Sequence, residues 1–314
     1  MRLLSIALAA ALAASALATT PDERPHLHNS AMRFVEFWDA NKDKPADGQV
    51  AAFKAQVAPV YPSFYSAERR KGQLTPAQYD EAIEGAIKEF PSIRTAYIEK
   101  ARQFQAELPR YTASFKAAFP DFTPPEDIYV LHSLGEMDGG MRQIDGEVVM
   151  IFGVDSMVKY HGTGRESAFF HHELFHIYHR AAMEGCEDGG IWANLWREGL
   201  AVHVSKVLNP DANDVELLLD IPNHMAVQTR AVLPAALAQL DSVLDKTDDE
   251  TYAGLFYGSG NAGNLPKRRG YYLGYLVAQE AGKTRSIQEL ARLRCPQIRE
   301  LVHATVGKLR TTAR

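Results

Sequence analysis

Cysteine is scarce: the 314 residues contain two, Cys186 and Cys295. They lack the CxxC spacing of thiolate zinc clusters and thioredoxin-like redox motifs, and two cysteines do not make a disulfide-dense scaffold. Either they pair and close a large loop, or they remain separate buried thiols. The choice depends on a Cα separation that spacing does not give. There is no long basic tract. Lys and Arg number 34 against 39 Asp and Glu, for a formal net charge of −5, and the two signs are interspersed, so nucleic-acid binding is not expected. Past the N-terminus no run approaches the ~18 apolar residues of a membrane span. Apolar residues are plentiful, at 46%, with 13 Tyr and 14 Phe. That suffices for one large core or two modest ones and excludes disorder of the whole chain.

Residues 1–18 read as a cleaved secretory signal. Arg2 supplies the positive start, Leu3 to Ala14 a short apolar run, and Ala16-Leu17-Ala18 an A-x-A cleavage signature. No Cys stands at that point, so a lipoprotein anchor is not expected. The expected location is the periplasm or the exterior.

The rest divides by pattern into residues 19–120 and 121–314. Thr19 to Asn29 reads as a loose polar leader, and Ser30 as the cap of a short helix carrying Phe34, Val35 and Trp38. Thr75-Pro76 starts another helix, with Thr75 as N-cap and Pro76 at the first helical position. Tyr79, Ile83, Ile87 and Phe90 then recur at helical spacing. Pro91 is expected to interrupt that helix and Pro109 to kink or break the next. Phe119 to Pro125 reads as a boundary. Asp127 to His132 and Glu147 to Val154 have strand composition, with a Gly-containing loop between them and an Asp145-Gly146 turn before the second. Helices are expected over 167–183 and 192–207 and from the 267–275 segment to Ala281. Lys246 to Asn264 reads as a polar, Gly-rich loop. The fold class is therefore α+β, predominantly helical, with a small β-sheet and an N-terminal helical region.

The chemistry concentrates in His171-His172-Glu173-Leu174-Phe175-His176-Ile177-Tyr178-His179. His172 and His176 are four apart, hence on one helical face. Two imidazoles so placed can hold one Zn²⁺ at about 2.0–2.1 Å per nitrogen. Glu173, beside the first, can serve as general base toward water. His171 points off that face and reads as structural. His179, three beyond His176, could line the site, but a surface histidine of the helix is the preferred reading; His203 reads as no ligand, and His132 and His161 stay unassigned.

A catalytic zinc needs a third protein ligand. Glu198 lies 22 residues beyond His176, in Glu198-Gly199-Leu200-Ala201. At these two motifs the chain resembles the gluzincins, zinc peptidases with two His from HExxH and a Glu from a following helix, whose third-ligand segment often reads Glu-Gly-Leu-Ala. The resemblance covers about residues 125 to 282, and in layout the chain looks most like predicted bacterial zinc-dependent proteases of little-characterised families. It implies a zincin-like core over 121–314, one Zn²⁺ held by His172, His176 and Glu198, and a peptide or protein substrate. It also implies an edge strand for an extended peptide, for which Val148 to Gly153 is the candidate. An oxyanion donor is implied from the Tyr-rich helix start, Tyr272 or Tyr271, with Tyr275 third. The chain departs from several gluzincins at Val202, where they carry an acidic residue that orients a zinc histidine. Asp155, Glu187 and Asp188 are the substitutes by proximity in sequence. Two other readings stand beside the peptidase: a non-catalytic binding protein on a peptidase fold, and a zinc hydrolase of non-peptide substrates.

Overall fold

A computed structural model of the chain describes residues 26–124, 127–162, 164–186, 189–260 and 263–313. The expected signal lies outside these, as do Glu187 and Asp188. The fold is predominantly helical α+β with one small mixed sheet. Among the described residues no helix is long and apolar enough to cross a membrane.

Four strands form the sheet: β1 (His26–Asn29), β2 (Asp127–Leu131), β3 (Gly139–Ile144) and β4 (Glu147–Gly153), in the order β1-β2-β4-β3. β1 and β4 run parallel to β2, and β3 is antiparallel to β4. Two expectations fail here. Residues 26–29 are not a loose leader, because β2 offers them a paired edge. The stretch read as a Gly-containing loop includes β3, whose Ile144 opposes Glu147 across a two-residue turn. Both turn residues have positive φ, 54° at Asp145 and 87° at Gly146, as a type I′ hairpin requires. The strand expected at the edge, Val148 to Gly153, is therefore internal. The edge belongs to β3, and among the described residues no strand pairs with its outer side.

On the N-terminal side lie α1 (Ala31–Asn41), α2 (Ala46–Gln56) and α3 (Pro76–Ala118). Thr75 caps α3 with a capping box to Gln78. The helix then runs through both Pro91 and Pro109, where a break and a kink were expected. Each interior proline costs about 3 kcal/mol. The unbroken buried row Tyr79, Ile83, Ile87, Phe90, Tyr97, Phe104, Leu108, Tyr111 and Phe115 gains about 1.5–3 kcal/mol per fully buried large apolar side chain, which outweighs two prolines. Elements on both sides of residue 120 share one continuous core, from Ala31 to Val306.

The remaining helices are α4 (Val154–His161), α5 (Ser167–His179), α6 (Ile191–Leu208), α7 (Met225–Ala231), α8 (Leu233–Val243), α9 (Asp249–Phe256), α10 (Arg269–Ala281), α11 (Ile287–Ala291) and α12 (Cys295–Thr312). α9 falls inside the stretch read as a loop. Asp248 starts it by accepting a 2.8 Å hydrogen bond from the Thr251 amide. α6 packs between α5 and α10 and also touches α12.

Cys186 and Cys295 form a disulfide with a Cα separation of 5.6 Å. It joins the loop after α5 to the start of α12 across 109 residues of sequence. Cross-linking so long a loop restricts the unfolded chain. Reduction, or the Cys186→Ala/Cys295→Ala pair, is expected to lower unfolding free energy by about 2–4 kcal/mol. Urea denaturation with and without dithiothreitol checks this, and coincident curves contradict it.

Candidate metal centre

α5 is anchored by its apolar residues. Phe169, Phe170, Leu174 and Phe175 are buried, with Phe170 packed on the rings of Phe104 and Phe152. His171 points the same way: its Nε2 lies 2.8 Å from Ser114 Oγ and its Nδ1 2.9 Å from Asn209 Nδ2. Burial pushes its pKa down to about 4, so it is a neutral structural imidazole. The opposite face is left to His172, Glu173 and His176. From Ile191 to Val202 α6 is buried except at Asn194, Arg197 and Glu198. Those positions, i, i+3 and i+4, form one polar stripe, from which Glu198 meets the histidines of α5.

Three donor atoms converge between the two helices. His172 Nε2 and His176 Nε2 are 2.9 Å apart, and Glu198 Oε2 lies 3.5 Å from the first and 3.3 Å from the second. Two ligands held at about 2.0–2.1 Å in a tetrahedral shell are roughly 3.3 Å apart, so these three atoms are spaced so that they could hold one metal ion. Among the described residues this is the group of His, Cys, Asp and Glu able to hold a metal. The donor set, two imidazole nitrogens and one carboxylate oxygen, suits zinc. Burial would raise the pKa of Glu198, but the two imidazoles reverse this and hold it well below the usual carboxylate range. Burial likewise pulls His176 down, and the Glu198 charge more than restores it.

Glu173 stands beside the triad. Burial raises its pKa, His172 and His176 pull it back, and the net shift is upward. β3 passes close by: a Cβ added at Gly140 would sit 3.7 Å from Glu173 Oε2. Gly140 and Met141 line a cleft of about 470 Å³ together with Glu173, His176 and Glu198. The sheet edge, the carboxylate and two of the three converging donors thus share one cavity.

His179 corrects its surface reading. It is 1% exposed, stacks on Phe175 at 4.9 Å and forms part of the cleft wall. Burial, then the charges of His176 and Arg197, push its pKa down to about 3, so it remains neutral. Asp155 is not an orienting partner for the triad. Its carboxylate accepts from the Ser133 and Gly135 amides at 2.6 and 2.8 Å and shapes the loop after β2. Val202 is buried, and among the described residues His176 Nδ1 has no hydrogen-bond partner. His203 lies against Gly282, away from the triad.

The three tyrosines separate. Tyr272 accepts a hydrogen bond from Arg230 Nε at 3.0 Å, and Tyr275 one from Gln279 at the same distance. Tyr271 lies under Arg268, with the guanidinium 4.6 Å from the ring centroid. Burial raises its pKa well above 10, with the charge of Glu198 next and that of Glu173 also contributing. Of these three tyrosines, Tyr271 is the one on which the charges of Glu198 and Glu173 act. Sequence reasoning missed Arg197 and Met141 as cleft residues. For Arg197 a signal existed, since it lies on the polar stripe of the otherwise apolar stretch from Ile191 to Val202.

Behind β3 a buried chain of charges supports the strand's start. His161 lies 2.7 Å from Glu166 and 3.1 Å from Asp138, and Glu166 also receives Lys100. Burial alone would lower the His161 pKa, but bonds to Asp138 and Glu166 raise it to about 9 from 6.5. A raised folded-state pKa gives stability that is complete below the unfolded value and is lost as pH climbs through the folded one. Stability should therefore fall between pH 6.5 and 9, by up to about 3 kcal/mol. Urea midpoints at the two ends of that window check this, and His161→Gln should flatten the difference.

Comparison with family models, with curated proteins and with solved structures finds no match for this chain.

Proposed function

We propose that this chain is an exported zinc-dependent metallopeptidase with a zincin-like arrangement of its helices and sheet. The observation that carries the reading is the convergence of His172 Nε2, His176 Nε2 and Glu198 Oε2 beside the half-buried Glu173. A zinc ion bound there supplies Lewis acidity and lowers the pKa of water to near 7. Glu173 takes the proton of the attacking water and passes it to the leaving amine. Its raised pKa favours that second step. The open edge of β3 supports an extended peptide through backbone pairing, and Gly140 lets that backbone approach Glu173. The Tyr271 hydroxyl donates to the oxyanion as it develops. The Cys186–Cys295 bridge accords with an oxidising compartment.

Tyr271→Phe is expected to lower kcat by about 10²-fold, with zinc content unchanged. Tyr272→Phe, which loses only the Arg230 bond, should change kcat little. Steady-state kinetics on both variants measures the contrast, and equal losses would reassign the donor.

The reading itself is tested by incubating the purified, zinc-loaded protein with a mixed peptide library. Cleavage products that vanish with a chelator and return with zinc support it. Binding without cleavage supports the non-catalytic alternative, and cleavage that survives the chelator contradicts it.

A further inference from the structure

Two arginines line the cleft beside the triad, Arg180 after α5 and Arg197 on α6. Arg69 and Arg70, partly buried elsewhere in the fold, both meet the carboxylate of Glu136. Neither Arg180 nor Arg197 is in an ion pair with any described residue. The carboxylates facing the cleft are Glu173 and Glu198, and Glu198 is engaged by the two imidazoles. Arg197 is nevertheless held in place, since its Nη1 donates to Asn194 Oδ1 at 2.9 Å, and its other nitrogens remain available. Arg180 is exposed at the mouth. Met141 and Met183 supply apolar surface to the same cavity.

A guanidinium presents a rigid fork of donors that matches a carboxylate. Two guanidiniums on one cavity that meet no carboxylate among the described residues, beside a site for a dication, favour an anionic ligand. We infer that Arg180 and Arg197 form a carboxylate-recognition site, so that the preferred substrates are peptides carrying a carboxylate close to the scissile bond. This rests on the peptidase reading for its substrate class. The carboxylate is either the peptide's C-terminus or an acidic side chain.

The test measures binding, separately from turnover. Full-length, zinc-loaded protein carrying Glu173→Gln, so that peptides stay intact, is titrated with three dansylated tripeptides and followed by fluorescence anisotropy. They are Ala-Phe-Ala with a free C-terminus, the same peptide as its amide, and Ala-Phe-Glu amide. At least one carboxylate peptide should bind roughly tenfold more tightly than the neutral amide. Arg180→Gln and Arg197→Lys or Arg197→Gln, each with an unchanged melting temperature, should reduce that preference to about threefold or less. Tight binding of the free acid alone assigns the C-terminus, and equally tight binding of the Glu amide assigns a side chain. Three equal affinities, no measurable binding, or a preference that survives both substitutions overturns the inference. Cleavage by the unsubstituted protein with no such preference would leave the peptidase reading standing, and a preference without cleavage would do the reverse.

Discussion

Glu173→Gln is expected to keep one zinc per chain and lower peptide hydrolysis by roughly 10²–10⁴-fold, the range for loss of a general acid–base group. The amide has nearly the shape of the carboxylate, so the packing around it has little to adjust. It cannot take a proton from water, nor deliver one to an amine. Glu173 is also not one of the converging donor atoms, which are His172 Nε2, His176 Nε2 and Glu198 Oε2. Metal binding and turnover should therefore separate in this variant and in few others. Metal analysis beside initial-rate measurements reads both quantities. A variant that loses its zinc would place Glu173 among the ligands, and one with full activity would remove it from the chemistry.

Gly199→Ala is expected to have the largest effect on the scaffold. α6 and α10 cross where Gly199 meets Gly274. A Cβ at Gly199 would lie 2.1 Å from the Gly274 carbonyl carbon and 2.4 Å from its Cα. The obstruction is backbone on a packed helix, so no rotamer relieves it, and the helices must move apart. Overpacking of this kind costs about 3 kcal/mol. Because Glu198 precedes Gly199 on the same turn, any shift of α6 also moves the third donor atom. The variant should unfold at lower urea and bind zinc more weakly, by denaturation and competition with a chelator. Wild-type values for both would mean that the close crossing does not position Glu198.

Much of the site was legible in the sequence because helical periodicity carries it. His172, Glu173 and His176 share a face wherever a helix forms. Glu198 could be named because a three-ligand site needs a further donor and the following helix offered one in Glu-Gly-Leu-Ala. What sequence did not give was set by pairing across the chain. β3 begins Gly139-Gly140 and reads as a loop. Only the partner strand β4 makes it a strand, although the Asp145-Gly146 turn implied an arm on each side. β1 is four residues long and exists because β2 is there to pair with it. The prolines of α3 misled for a related reason. Local cost argued for breaks, and a long buried row overrode it. His179 was misplaced because its helical position fixes a direction but not what covers it. The wall it joins includes residues from α6 and β3.

The most direct test of the central claim is the zinc content of the purified protein after dialysis, for the unsubstituted chain and for His176→Ala. One zinc per chain in the first and essentially none in the second is the predicted result. A zinc-free unsubstituted chain after incubation with the metal, or full occupancy in His176→Ala, would contradict it.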